Sequence, residues 1–303
     1  MIKKLILILI HTIINNDIVL KYRLRNIIKN DLENFDFLNL SFENSEELAK
    51  IIFSKQYFYK KHYDEKSINY HSFAWLNSAR KLGGVEIISL AKKQIINWYN
   101  KNYSKFSFVW DENLISKRLI NFIYNFDFYS ISATNKEKQL LKYIIYKNFM
   151  ILKLKIAFIK NKYDQPIEIS KILLLMYAIN NNNTNQVINQ IVSQINYQIN
   201  THGFHKSSNP SLHAEFINEL YEIKNICLHF KIDIPKALEY QIMNMSSVLK
   251  NLFHKNNTIA LFNGSNNANY EQLIKINNSY KDLKPKNISD VDNGLAVFET
   301  KKN

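Results

Sequence analysis

Apolar residues recur at helical spacing along most of this chain. Residues 85–103 place Ile88, Ala91, Ile95 and Trp98 on one face, at the i, i+3, i+4 interval of an amphipathic helix. Asp111 is placed to cap a helix carrying Leu114, Leu119, Phe122 and Ile123. One long helix is predicted over 135–161. IEISKILLLMYAI at 167–179 is apolar on nearly every side, the pattern of a helix buried between two layers. Helices are further predicted over 187–200, 210–231 and 235–252. The 210–231 helix carries a stripe of Leu212, Phe216, Leu220, Ile223, Cys227 and Phe230, and Pro235 suits the first turn of the last helix.

Towards the N-terminus, residues 1–16 read as a helix and 17–44 as irregular. SEELAKIIFSK at 45–55 has a capping Ser and acidic residues in its first turn, so it reads as a helix. Residues 56–69 read as loop. HSFAWLNSARKLGG at 71–84 reads as one helix stopped by a glycine pair. TIALFNGS at 258–265 has β character, 270–280 is helical in pattern, and NGLAVFE at 293–299 alternates like a strand. The expected fold is all-α, built of antiparallel helical hairpins with a short β-prone C-terminal tail. No fixed repeat marks a regular solenoid. A bundle, an irregular α-array and an α/α toroid all satisfy the periodicity.

Composition supports a helical fold: 303 residues include only 5 Gly and 4 Pro, the residues that punctuate turns and strands. The net charge of +14 points to an anionic partner. Lysine carries nearly all of it, since the arginines are Arg23, Arg25, Arg80 and Arg118. Abundant Lys, Asn and Ile together also follow from A/T-rich coding, which weakens the inference. No helix-turn-helix, RNA-binding or zinc signature accompanies the charge, so nucleic acid is not the favoured partner. Cys227 is the only cysteine, which excludes an intramolecular disulfide and a Cys-based metal site. It falls on the apolar stripe and reads as a small buried hydrophobe. MIKKLILILIHTIINND is too short and too interrupted to span a bilayer. It reads as a buried first helix, which favours a cytoplasmic chain; read as a signal segment, it implies a periplasmic one.

Against this background GFHKSSNPSLH at 203–213 stands out, with Gly, Pro, two His, three Ser and Asn in eleven positions. Gly203 permits a tight turn. His205 and Ser207 alternate on an extended segment and would point the same way. Ser208 or Asn209 can cap the next helix, with Pro210 at its first position. Capping alone accounts for these three. His213 lies one turn beyond Asn209, which puts His205, Asn209 and His213 around one helix N-terminus, where partial positive charge favours an anion.

Four stretches together resemble the bacterial heparinase II/III-like family: YRLRN at 22–26, HSFAWLNSARKLG at 71–83, GFHKSSNP at 203–210 and ALEYQIMNMSSVLKNLFHKNNTIALFNGS at 237–265. The third is similar to Gly-Gly-His-x-Ser-x-Asn-Pro, and the fourth to a helix followed by Phe-x-His-Gly-Asp-Gly and Ala-x-Phe-Asn-Gly. Their order and spacing agree from about residue 8 to 265. The resemblance implies an N-terminal α/α toroid, a C-terminal β-sandwich, and β-elimination on uronic-acid-containing acidic polysaccharide. It divides the chain into a toroid portion at 1–285 and the start of a sandwich, or a tail, at 286–303. The toroid is then incomplete without a sandwich supplied by a separate polypeptide. Phe204 replaces the second Gly of Gly-Gly-His, and Lys255, Asn256 and Asn257 replace Gly-Asp-Gly. An alternative is a non-catalytic module, or degenerate remnant, that binds an anionic glycan.

Elimination beside a uronic carboxylate needs a donor that neutralises the carboxylate, a base for the adjacent proton, and an acid for the leaving oxygen. It needs no metal or other cofactor. His205, Asn209 and Tyr221 are the candidate catalytic residues; Tyr is the usual acid/base in this chemistry. Ser207, His213, Arg118, His71, Trp75, His254 and Asn263 are the candidate substrate contacts. Each has an ordinary structural reading beside the chemical one. Trp75 shares a predicted helical face with His71, and an aromatic there is equally a core residue. Arg118 can bind a carboxylate or pair with Asp111 or Glu112, Asn263 can organise a turn, and Tyr221 is one of 18 tyrosines.

Overall fold

The computed structural model describes residues 65–103, 107–157, 163–254, 258–266, 284, 288–290 and 295–297. The sequence readings over 1–55 and 270–280 lie outside them. The protein is all-helical in its described core and forms two compact units, 1–160 and 161–303.

The first unit contains α1 (Glu65–Ser72), α2 (Trp75–Leu82), α3 (Val85–Asn102), a 3-10 turn (Phe108–Trp110), α4 (Glu112–Tyr124), α5 (Phe126–Ser130) and α6 (Asn135–Ala157). Two sequence readings change here. Residues 65–69 are helical rather than loop, and 71–84 is not one helix. The chain breaks at Phe73, whose φ is +60°, and restarts at Trp75. A left-handed aromatic residue is strained. Burial against Trp75, Trp98 and Phe122 holds Phe73 there. The break is also tied by an amide ladder: Asn121 Nδ2 donates to Ser72 O (3.0 Å), Asn77 Nδ2 to Asn121 Oδ1 (3.1 Å) and Asn125 Nδ2 to Asn77 Oδ1 (2.8 Å). Asp111 caps α4 as expected, its Oδ1 accepting from Asn113 N–H at 3.0 Å.

The second unit contains α7 (Ile167–Ile179), α8 (Asn185–Gln198), α9 (Pro210–His229) and α10 (Lys236–Leu252). A short antiparallel ribbon pairs β1 (Ile288–Asp290) with β2 (Leu295–Val297). α7 is buried nearly all round and packs on α8 and α9, and α9 packs on α10. The α9 stripe buries Phe216, Leu220, Ile223 and Cys227, whereas Leu212 at its open end is exposed. The β character of 258–265 reduces to a single bridge, Phe253 to Ile259, followed by a turn. Among the described residues no helix is long and apolar enough to cross a membrane, and no group of His, Cys, Asp or Glu could hold a metal.

Candidate functional site

The 203–209 turn joins α8 to α9. Gly203 has φ +85°, which strains any other residue, and a Cβ there would also displace the side-chain amide of Asn244. Phe204, in the place the family pattern gives to Gly, is fully buried and packs its ring 4.8 Å from that of His213. His205 pairs with Ile199 in a one-residue antiparallel bridge. Ser208 N–H donates to His205 O at 2.9 Å, which closes the chain into a turn rather than an extended run.

Asn209 is the N-cap of α9, its Oδ1 accepting from Leu212 N–H at 3.0 Å, with Pro210 at the first helical position. Its Nδ2 donates to Asn263 O at 2.9 Å, and Asn263 Nδ2 donates back to Ser208 O at 3.0 Å. Next to this reciprocal clasp, Ser211 Oγ donates to Asn266 O at 2.6 Å and accepts from Asn266 N–H at 2.9 Å. The motifs at 203–210 and 262–265, more than fifty residues apart, therefore meet side by side. Asn209 and Asn263 spend their amides on this clasp.

The two histidines differ. His213 is fully buried, its Nδ1 accepts from His205 N–H (3.3 Å), and its Nε2–H therefore donates to Met245 O (3.0 Å). Burial pushes its pKa down to about 3. Both ring nitrogens are occupied inside the protein. His205 is half-buried against Phe216. Its Nδ1 accepts from Ser207 N–H (3.2 Å) and from Ser207 Oγ–H (2.8 Å), so Nδ1 carries no proton and Nε2 does. Partial burial pushes its pKa down to about 4, which keeps the ring neutral at pH 7. Its Nε2–H takes no partner among the described residues. The turn thus presents one neutral, oriented hydrogen-bond donor beside the exposed Ser207.

The remaining candidates disperse. Tyr221 is exposed on α9, whereas His213 on the same helix is fully buried. His254 is exposed, its backbone N–H donating to Thr258 O at 2.8 Å. His71, Trp75 and Arg118 belong to the first unit. Trp75 is fully buried beyond the helix break, so it shares no helical face with His71 and offers no surface to a sugar.

Arg118 is also fully buried, and pairs with neither Asp111 nor Glu112. Asp111 caps α4, and Glu112 bonds Lys155 at 3.0 Å. The Arg118 guanidinium donates to His71 O (2.7 Å), Asn148 Oδ1 (2.8 Å) and Val109 O, and lies 4.1 Å from the ring centre of Trp98. His71 Nδ1 accepts from Trp98 Nε1–H at 2.8 Å. Arg118 and His71 therefore build the core of the first unit.

Burial, with the Arg118 charge adding to it, pushes His71 down to about 4. An unfolded histidine titrates near about 6.5, so the unfolded chain binds the extra proton. Stability is therefore fully present above about 6.5 and is lost as pH falls towards about 4. The expected slope is about 1.4 kcal/mol per pH unit, or about 3 kcal/mol across the window. All three tryptophans lie in this unit, so urea titrations followed by tryptophan emission read it. In His71→Gln, whose amide oxygen still accepts from Trp98, the slope is expected to flatten. An unchanged slope would contradict the assignment.

One buried cluster carried no sequence signal. Lys171 Nζ on α7 lies 2.6 Å from Glu219 Oε2 and closer still to Glu222 Oε2, both on α9. Burial raises Glu219 well above the ordinary carboxylate range; Lys171 opposes the shift, and Glu222 and Glu168 add to it. The i, i+3 spacing of two glutamates on a helix face is common, and nothing in the sequence marks Lys171 as their partner.

No family model matches this chain, and no curated protein or solved structure matches it.

Proposed function

We propose that this chain is the toroid portion of a heparinase II/III-like protein, and that its 203–209 turn holds a uronic-acid-containing glycan through His205. The carrying observation is the neutral His205 imidazole, whose Nε2–H meets no partner among the described residues. A neutral donor suits a sugar carboxylate: it hydrogen-bonds the anion, and it does not depend on being protonated. The clasp between Asn209 and Asn263 supports the family reading, because it joins two of the four stretches that carry the resemblance.

In this reading His205 Nε2–H hydrogen-bonds the carboxylate, while Asn209, Asn263 and His213 hold the turn in place. The same geometry disfavours His205 as the base, since its free nitrogen is already protonated. A lyase reading then takes its base and acid from Tyr221 or from a β-sandwich domain. The full occupation of Asn209 and His213 inside the protein favours a binding module over a complete active site.

Calorimetric titration with heparan, alginate and hyaluronan oligosaccharides tests this. At least one is expected to bind, and His205→Ala to weaken it by roughly tenfold or more. Equal binding of every polyanion, lost at modest salt, would instead indicate unspecific attraction to the lysines. Turnover is read separately, as new ultraviolet absorbance from unsaturated uronides.

A further inference from the structure

Two tyrosines meet at the surface on the other side of the same turn. Tyr163 leads into α7, and Tyr197 lies in the last turn of α8. Their ring centroids are 6.0 Å apart and their planes 36° apart; Tyr163 is 45% exposed and Tyr197 39%. Lys206 Nζ lies 4.3 Å from the centre of the Tyr197 ring. One backbone bond and the Gln198 side chain fix the group: Lys206 N–H donates to Gln198 O (2.9 Å), and Gln198 Nε2 donates to Tyr163 O (2.6 Å) and Gln165 O (2.9 Å). His205 packs on Phe216, whereas Lys206 packs on Tyr197.

Large apolar rings left open to water, with a polar tip and a cation beside them, suit a ligand that is apolar on one face and anionic at its edge. A pyranose ring bearing a carboxylate has that form: its C–H face stacks on an aromatic ring, and its carboxylate meets the ammonium. We propose that Tyr163, Tyr197 and Lys206 form a stacking subsite for a uronic-acid residue, distinct from the His205 contact. The proposal rests on the reading that this protein holds acidic glycans, and extends it to a second sugar. Asp164, exposed next to Tyr163, carries the opposing charge and limits affinity.

The test is titration of the full chain with alginate oligosaccharide and, as a neutral control, cello-oligosaccharide. Circular dichroism confirms the fold of each variant. Tyr163→Ala and Tyr197→Ala are expected to weaken alginate binding by roughly tenfold each. Lys206→Gln is expected to weaken alginate binding while leaving any cello-oligosaccharide binding unchanged, and Asp164→Asn to tighten alginate binding. Wild-type alginate affinity in both tyrosine variants, with binding still lost in His205→Ala, overturns the subsite and leaves the His205 contact standing. Wild-type affinity in the tyrosine and His205 variants alike overturns both. Equal loss of both glycans in Lys206→Gln overturns the uronate assignment of the subsite.

Discussion

Lys171→Met is expected to destabilise the 161–303 unit by about 3–5 kcal/mol at pH 8, the cost of removing one partner from a buried ion pair. The lysine serves two carboxylates at once, Glu219 at 2.6 Å and Glu222 closer still, in a largely buried contact between α7 and α9. Methionine fills the stem volume but supplies no charge, so the carboxylates either repel each other or take up protons. Protonation provides the control. At pH 5 the carboxyls neutralise at little cost, and the deficit is expected to shrink to less than half. The triple variant Lys171→Met, Glu219→Gln, Glu222→Gln removes all three charges and is expected to recover most of the loss, since a buried ionic cluster is seldom worth more than a neutral one of similar volume. Urea unfolding followed by circular dichroism reads all three. A single variant as stable as wild type at pH 8 would show that the lysine does not compensate these carboxylates.

The second large effect is expected at Arg118. Arg118→Ala removes the donor to His71 O, Val109 O and Asn148 Oδ1 and empties the space beside Trp98. Buried acceptors left unpaired cost about 1–3 kcal/mol each, and the cavity adds to that. A loss of about 4 kcal/mol or more is expected, with a shift in tryptophan emission, because the indoles of Trp98 and Trp110 both face the guanidinium. Arg118→Lys keeps the charge but not the fork, so it is expected to fall between alanine and wild type. Since Arg118 builds the core of the first unit, it is not a free carboxylate ligand. An alanine variant of unchanged stability would reopen that role.

Helical periodicity, and for α7 an unbroken apolar run, located most of the helices. α3, α4, α7, α9 and α10 lie close to their expected ranges, because burial against neighbours enforces the same spacing that the sequence displays. It failed at 71–84. There, tertiary packing holds Phe73 at φ +60° and splits the helix, a conformation that an aromatic residue does not announce. Site chemistry was legible in part. The GFHKSSNPSLH cluster marked a helix entrance, and Asn209 with Pro210 forms it. Which polar groups stay available was not legible. The clasp to Asn263 and the bond from His213 to Met245 O depend on residues far along the chain. Those contacts occupy Asn209 and His213 and leave His205. The Lys171 cluster and the Tyr163–Tyr197 pair were missed for the same reason: single ordinary residues become a constellation only when separate elements pack.

The most direct measurement is the imidazole nitrogen spectrum of His205 by NMR at pH 6, with and without a uronic-acid oligosaccharide. The expected result is a neutral ring protonated on Nε2, with an Nε2 resonance that moves on adding the acidic oligosaccharide and stays put with a neutral one. A positively charged ring at pH 6, or an Nε2 resonance indifferent to every acidic oligosaccharide, would contradict the assignment of His205 as the carboxylate contact.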